Sequence, residues 1–256
     1  MKNHKLVIVM PVYNCEKTVH MAIRSIIKQT YKNWFLILID DHSNDNTYKT
    51  MKKFKSNKIK IYKNNKRLGL TKSLNRIILK LRCEYVARMD ADDECLPRRL
   101  EKQIEFLDKN KNVSLLGTNV NYYNSDNKRI GTSKLPLSKK NIRNDLSKKN
   151  VFIHSTTVFR HSFYMNLGGY NEFFFNAQDY DLWLRGRNKY IYANLKDRLV
   201  NHKVKNKIGL IKGFYGVLAM IVNLRLSNKF HKSVFWIFKT FIYIIMREMG
   251  YKKKIV

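Results

Sequence analysis

The stretch Tyr85-Val86-Ala87-Arg88-Met89-Asp90-Ala91-Asp92-Asp93 joins a short, mostly apolar run to a cluster of acidic residues. The composition and length of the run predict a buried β-strand over 85–89. The carboxylates that follow would stand at the carboxyl end of that strand. In an open α/β sheet, ligands bind beyond this end of the strands. The stretch therefore predicts an α/β fold with a site at one edge of its sheet.

Two earlier segments repeat this order of an apolar run followed by polar residues. Leu6–Met10 precedes Pro11-Val12-Tyr13-Asn14, and Phe35–Ile39 precedes Asp40-Asp41-His42-Ser43. Apolar residues at helical spacing over 19–27 predict a helix between the two runs, with Asn14 as candidate N-cap. Alternating strands and helices indicate a Rossmann-like, mostly parallel sheet flanked by helices. We therefore expect the three polar loops to lie together at one edge of the sheet.

The remaining elements follow from the same patterns. Short strands are predicted at 59–62, 113–116 and 157–159, and a helical face at 74–81. Pro97 suits the first turn of a helix that follows the acidic loop.

The composition limits the class of protein. A chain of 256 residues is long enough for one large domain with an extension. Its 51 Lys and Arg against 19 Asp and Glu give a net charge of +32, which attracts nucleic acid, anionic lipid or phosphorylated substrates. The alternative cause is composition bias, because Lys and Asn are abundant throughout. Three cysteines without a CxxC spacing argue against disulfides and structural zinc, and favour a reducing compartment.

Residues 206–256 differ from the rest of the chain. Two apolar runs, 213–224 and 233–246, are both shorter than the ~20 residues of a bilayer-spanning helix. On a helix, a narrow polar stripe would cross the second run, formed by Lys232, Lys239, Tyr243 and Arg247. This pattern predicts an amphipathic helical tail on an anionic membrane surface. The alternative is a helix packed on the domain, and the two are compatible because one helix can pack while the other docks.

The acidic loop itself indicates metal binding. Asp90, Asp92 and Asp93 would repel one another unless a cation or hydrogen-bond donors offset their charge. A divalent cation with oxygen ligands does so, and Mg²⁺ commonly takes one or two carboxylates together with phosphate oxygens. The Asp-x-Asp pattern alone is no more than an acidic turn. Its position after a buried strand, on the same edge as Asp40-Asp41, favours the metal site.

Five segments then occur in a diagnostic order: Val9–Asn14, Ile39–Asp45, Arg67–Leu70 with Leu74-Asn75, Ala87–Asp93 with Leu96-Pro97, and Gly168–Tyr170 followed by Gln178–Arg185. In these segments the chain resembles the family-2 inverting glycosyltransferases of the GT-A fold, over roughly residues 5–205. The resemblance implies a GT-A domain over 1–205, with a nucleotide-binding half at about 1–110 and an acceptor half at about 111–205. The helical membrane-associating tail, 206–256, follows.

The resemblance also implies roles for individual residues. Asp179 would be the catalytic base, and Asp92 would ligate a divalent metal, Mg or Mn, with His202 as a further ligand. Asp41 would hydrogen-bond the nucleobase of the donor, which is expected to be uracil. His154 and Gln178 would lie on the acceptor side, and Gln178 stands where the family usually has Glu. The nucleotide and donor residues would be Pro11, Val12, Tyr13, Asn14, Asp41, Arg67, Asp90 and Ala91.

Two of these assignments have structural alternatives. Asp179 could instead be the N-cap of a helix over 181–187, because Asp is a good capping residue. His202 could be a surface histidine in a basic loop.

The resemblance implies a hexosyltransferase. It would transfer a sugar with inversion from a UDP-sugar to a glycan or lipid-linked saccharide in cell-surface polysaccharide synthesis. We expect it to be cytoplasmic and peripheral on the inner face of the cell membrane. A basic nucleic-acid-binding protein is the alternative of another class, but no RNP, helix-turn-helix, zinc or KH-like pattern supports it. A catalytically silent protein of the same fold is the third hypothesis.

Overall fold

The computed structural model describes residues 4–204 and 217–219. The strands are β1 (His4–Val12), β2 (Trp34–Asp40), β3 (Ile59–Lys63), β4 (Cys83–Arg88), β5 (Glu94–Cys95), β6 (Val113–Tyr123), β7 (Arg129–Thr132), β8 (Val158–Arg160) and β9 (Ile191–Lys203). The helices are α1 (Val19–Ile27), α2 (Thr47–Lys52), α3 (Leu70–Ile78), α4 (Arg99–Lys109), α5 (Lys139–Leu146), α6 (His161–Asn166) and α7 (Gln178–Gly186). A 3-10 turn covers His154–Thr156.

These strands form a single sheet in the order β3-β2-β1-β4-β8-β6-β9-β5, and β7 pairs with β6. The first half is parallel throughout, because β1 pairs in parallel with β2 and β4, and β2 with β3. The second half adds antiparallel strands β5, β7 and β8 around the parallel pair β6–β9. The predicted α/β sheet is confirmed, and its parallel order is most complete where strand and helix alternate in the sequence.

The alternation of side chains along each strand builds two apolar layers, one on either face of the sheet. In β1, Val7 and Val9 join the layer that contains the apolar residues of α3, α5, α6 and α7. Leu6, Ile8 and Met10 join the opposite layer, with α1 and α4. Burial of each such side chain contributes roughly 1.5–3 kcal/mol. The continuous apolar runs of the sequence are explained by burial on both faces.

Three local predictions were wrong. Thr18 is the N-cap residue of α1, whereas Asn14 has a left-handed φ of 49° and accepts a hydrogen bond from Asn44 N at 3.1 Å. Pro97 precedes α4 instead of lying in its first turn. Helix α7 begins at Gln178, before the predicted 181, because Ala177 with a φ of 60° redirects the chain there.

Most of the predicted tail, 206–256, lies outside the described residues. Residues 217–219 are helical, and Val217 and Ala219 are buried in the layer that contains α3 and α7. Within 4–204 and 217–219, every helix is too short or too polar to cross a bilayer.

Candidate active site

The polar loops after β1, β2 and β4 meet at one edge of the sheet. Asn14 N donates to Ser43 Oγ at 3.1 Å, which ties the first loop to the second. The third loop is held by the end of β9, where Lys203 N donates to Asp93 Oδ1 at 2.9 Å. Asn14 of the first loop and Asp92 of the third line one cavity, so the predicted convergence of these loops is confirmed.

A cavity of about 190 Å³ lies between the first two loops and the start of α3. The guanidinium carbon of Arg67 lies 4.0 Å from the centroid of the Tyr13 ring, a cation–π contact. Two flat, polarisable groups thus stand together at the wall of the cavity. Its lining brings together five of the residues predicted to bind nucleotide, with three more, as Pro11, Val12, Tyr13, Asp41, Arg67, Gly69, Leu70 and Ser73.

Asp41 also organises the loop that carries Arg67. Its carboxylate accepts four hydrogen bonds: from the backbone N–H groups of Leu68 and Gly69, and from the side chains of Asn64 and Ser73, all at 2.8–3.0 Å. The sequence did not predict this structural role. Asn64 and Ser73 lie far from Asp41 along the chain, and neither belongs to a motif that would have marked it.

Asp90 has a cationic partner within the chain. Arg88 Nη2 forms an ion pair with Asp90 Oδ1, and Arg88 itself is 1% exposed. Burial alone would raise the pKa of Asp90, but the charge and hydrogen bond of Arg88 and the neighbouring histidines together outweigh it and hold that pKa below its usual range. Asp90 is therefore ionised, and part of the loop's charge is neutralised by the chain itself.

Asp93 is held by the end of β9. His202 Nδ1 lies 2.8 Å from Asp93 Oδ2, and the Asp93 side chain is inaccessible to solvent. Burial lowers the pKa of His202, but the hydrogen bond and charge of Asp93 outweigh it and raise that pKa above its usual value. A carboxylate on one ring nitrogen is the usual arrangement for a histidine that ligates metal through the other. The Asp93 contact thus leaves Nε2 for such a role.

Asp92 differs from its neighbours. It is half-buried and lines two adjoining cavities, of about 270 and 530 Å³, while the preceding Ala91 is 4% exposed. The larger cavity is also lined by Asn14. In the described part of the chain, no group of three or more His, Cys, Asp or Glu side chains is arranged to hold a metal. A metal bound at Asp92 would therefore need ligands from outside the protein, such as phosphate oxygens and water.

Asp179 lies in the first turn of α7 and is 9% exposed. Ala177 occupies the N-cap position, so the alternative of Asp179 as an N-cap is wrong. Burial raises the pKa of Asp179, and hydrogen bonds from the Tyr180 backbone and from Asn150 Nδ2, at 2.9 Å, offset part of that effect. The preceding Gln178 is 4% exposed.

Arg88 connects Asp179 with the acidic loop, and His154 lies near Arg88 and Asp90. The Arg88 charge acts on both Asp90 and Asp179, which places the two carboxylates in one electrostatic neighbourhood. His154 Nε2 lies 2.7 Å from the Tyr170 hydroxyl, and burial holds the pKa of His154 well below its usual value, so this ring is neutral. The sequence motifs did not indicate Asn150 or a role for Arg88. An arginine inside an otherwise apolar strand is a signal that could have identified the latter.

A family model decides the class of protein. The model described as Glycosyl transferase family 2 matches residues 7–168. The chain belongs to this family. It is a glycosyltransferase, an enzyme of the transferase class, and four of the five segments that suggested the resemblance lie wholly within the matched range.

Curated relatives of this family-2 glycosyltransferase are named as glycosyltransferases. The O-antigen biosynthesis glycosyltransferase WbnJ of Escherichia coli is 34% identical over 209 residues, which cover 78% of this chain and 80% of that protein. The UDP-Glc:alpha-D-GlcNAc-diphosphoundecaprenol beta-1,3-glucosyltransferase WfgD of Escherichia coli is 32% identical, over 72% of this chain and 70% of that protein. A Bacillus subtilis (strain 168) protein named EpsE is 38% identical over 71% of this chain, and the match spans 66% of its own length.

Solved structures confirm the GT-A fold of the glycosyltransferase. TarS 1–349 of S. aureus, in complex with UDP, aligns with 97% of this chain and 72% of its own at a TM-score of 0.68 and 17% identity. A mannosyltransferase of Pyrobaculum calidifontis in complex with GDP-Man and Mn²⁺, PcManGT, aligns at a TM-score of 0.67 and 14% identity. At these identities the likeness concerns the fold.

Proposed function

We propose that this glycosyltransferase transfers a hexose with inversion from a UDP-sugar to a glycan or lipid-linked saccharide in cell-surface polysaccharide synthesis. The observation that carries the proposal is the position of Asp179. Its buried carboxylate shares the electrostatic field of Arg88 with Asp90 of the acidic loop. A candidate base and the acidic loop thus lie in one electrostatic neighbourhood.

The donor nucleotide fits the cavity between Tyr13 and Asp41. The ring of Tyr13 and the guanidinium plane of Arg67 offer a flat surface for the base, and Asp41 offers carboxylate oxygens at the cavity wall. Uracil carries an N–H that such a carboxylate can accept. The TarS structures in complex with UDP and UDP-GlcNAc support a UDP-sugar as the donor.

A divalent metal, Mg or Mn, fits the donor set at Asp92. Asp92 and His202 Nε2 would hold it, with His202 oriented by Asp93, and the diphosphate of the donor would supply further oxygens. Such a cation supplies charge stabilisation for the diphosphate as it departs. Asn14 and Asp90 border the same region and would position the donor sugar.

Asp179 would take the proton from the acceptor hydroxyl. A hydroxyl is a weak nucleophile and needs a positioned base, and a carboxylate with a raised pKa is better matched to that task near neutral pH. Direct attack on the donor from the side opposite the leaving group inverts the anomeric centre. No second carboxylate nucleophile is needed for this displacement.

The acceptor would enter on the side of His154 and Gln178. The neutral imidazole of His154 and the amide of Gln178 can orient sugar hydroxyls without adding charge beside the base. The names of WbnJ and WfgD support a polysaccharide or lipid-linked acceptor. Such an acceptor would place the enzyme peripherally on the inner face of the cell membrane, with the tail 206–256 as one contact.

A panel of nucleotide-sugars, assayed for release of nucleoside diphosphate with and without Mg²⁺ or Mn²⁺, tests the proposal. With the active donor, Asp179→Asn should lower kcat by about 10²–10⁴-fold. Asp92→Asn should abolish the stimulation by metal. Glu105→Gln is the matched control, because Glu105 lies exposed on α4 and pairs with Lys109. NMR of the first product formed should show the inverted anomer.

Unchanged turnover in Asp179→Asn would contradict the assignment of the base. An inactive wild type that still binds a nucleotide-sugar would instead favour a catalytically silent protein of the same fold.

A further inference from the structure

The segment before Asp179 presents two phenylalanine rings to solvent. Phe173 is 64% exposed and Phe175 is 63% exposed, whereas Phe174 between them is fully buried. They are the most exposed large apolar side chains among the described residues. Exposing such rings is unfavourable in water, so a pair of them at a defined position marks an interaction site.

The two rings are held in place by helix α3. Thr71 Oγ1 donates to Phe174 O at 2.8 Å, and Asn75 Nδ2 donates to Tyr170 O at 2.8 Å. The Phe173 ring also packs edge-on against the buried Phe174 ring, with centroids 5.6 Å apart. The exposed rings therefore stand on a fixed support beside α3.

The solvent side of α3 is cationic. Lys72 and Arg76 lie four residues apart on one face of α3, Lys80 follows in the turn directly after the helix, and all three are exposed. Leu79 adds an apolar side chain, 38% exposed, to the same end of this face. The carboxylate of Glu172 adjoins this face of α3 and accepts a hydrogen bond from Asn75 Nδ2 at 3.2 Å.

Cations and apolar rings together form one surface next to the active site. This surface, called the α3–Phe surface below, comprises Lys72, Arg76, Lys80, Phe173 and Phe175. The N-terminus of α3 adjoins the cavity at Asp41, and the phenylalanine segment leads directly into Asp179. Whatever binds the α3–Phe surface therefore lies beside both the donor cavity and the base.

We infer that the α3–Phe surface docks the catalytic domain on an anionic membrane. Exposed phenylalanines that enter the acyl boundary, with Lys and Arg facing lipid phosphates, are the features of interfacial membrane binding. Charge complementarity selects anionic lipid, since each cation near such a surface adds attraction. The functional reason for this docking rests on the proposed lipid-linked acceptor, because a domain bound to the membrane by the α3–Phe surface would hold Asp179 near that acceptor. It does not depend on the tail.

Vesicle partitioning of the full chain tests the inference. Binding is measured by flotation with phosphatidylcholine vesicles, with and without phosphatidylglycerol. Phe173→Ser/Phe175→Ser should weaken binding to the anionic vesicles about tenfold. Lys72→Gln/Lys80→Gln should reduce the preference for anionic over neutral vesicles.

Ile27→Ser is the matched control. Ile27 ends α1 and is 42% exposed, but α1 packs on the opposite face of the sheet from α3. Its replacement should change vesicle binding by less than about twofold. Equal binding of the phenylalanine variant and the wild type would overturn the inference and leave the tail as the membrane contact.

A second readout locates the contact. In the full chain, Phe175→Trp should add tryptophan fluorescence that brominated lipids quench, beyond the quenching seen in the wild type. The tryptophan of Ile27→Trp should show no such additional quenching. Absence of additional quenching in Phe175→Trp would overturn the inference. So would a phenylalanine variant that keeps its vesicle affinity but loses turnover of a soluble saccharide, because the rings would then serve the acceptor sugar.

Release of nucleoside diphosphate from a soluble donor separates this inference from the proposed function. The phenylalanine variants should retain that activity, which also shows that they fold. Failure of the wild type in the donor assay would count against the proposed function alone, since vesicle binding is measured without a donor.

Discussion

The hydrogen bond from Asn150 to Asp179 provides a direct test of the base. Asn150 Nδ2 donates to Asp179 Oδ2 at 2.9 Å, and Asn150 is exposed whereas Asp179 is 9% exposed. The hydrogen bond from Asn150 favours the ionised carboxylate, while burial disfavours the ionised form and raises the pKa of Asp179 overall. Asn150→Ala removes the donor, so the pKa of Asp179 should rise further.

The size of the effect follows from this geometry. A hydrogen bond to a charged group contributes about 1.5–3 kcal/mol, and the exposure of Asn150 favours the lower end, roughly a tenfold effect. The base is active when deprotonated. At acid pH, where Asp179 is mostly protonated, kcat/KM of Asn150→Ala should therefore fall about tenfold below the wild type. At alkaline pH, where Asp179 is deprotonated in both proteins, the two values of kcat/KM should converge.

The assay is kcat/KM for the active donor and acceptor across about pH 5–8. Asn144→Ala is the control, since Asn144 is an exposed residue of α5 and is not among the hydrogen-bond donors to Asp179. A uniform loss at every pH would show that Asn150 positions a substrate instead of stabilising the Asp179 carboxylate. Identical profiles for Asn150→Ala and wild type would refute the assignment of Asp179 as the titrating base.

Two further predictions concern the acidic loops. Asp41→Ala should leave the four hydrogen-bond donors that converge on Asp41 without their acceptor. The free energy of unfolding should then fall by about 3 kcal/mol, and the Tm in thermal denaturation by roughly 6–12 °C. A Tm within about 2 °C of the wild type would contradict the structural role of Asp41. The raised pKa of His202 means that its pairing with Asp93 stabilises the metal-free protein fully below about pH 6.5, as long as Asp93 is ionised, and that this contribution disappears as pH rises through the raised value. Urea unfolding of His202→Gln against wild type should show a difference that shrinks with rising pH, and a difference that grows would be the contrary result.

The sequence predicted the first half of the fold well because its signals are local. The runs Leu6–Met10 and Phe35–Ile39 lie within β1 and β2, where burial on both faces requires continuous apolar residues. The predicted strand over 85–89 differs from β4 by a residue or two at either end. The polar loops converge because parallel strands end at one edge, a rule that needs no tertiary information.

The sequence could not predict pairings between distant residues. Asp93 and His202 are 109 residues apart, and Asn150 and Asp179 are 29 apart, so no local pattern connects either pair. The start of α7 was missed for another reason. Its boundary is set by the left-handed backbone of Ala177, and alanine carries no sequence signal for that conformation.

The contacts of the acidic loop change the argument for a metal. Repulsion among Asp90, Asp92 and Asp93 first suggested that a cation must offset their charge. The chain meets most of that requirement itself, because Arg88 pairs with Asp90 while His202 and a backbone N–H hold Asp93. Metal is therefore not needed to offset the charges of Asp90 and Asp93. The case for metal rests instead on the diphosphate of the donor, whose negative charge increases as it departs, and on Asp92, which lines the cavities where that diphosphate would lie.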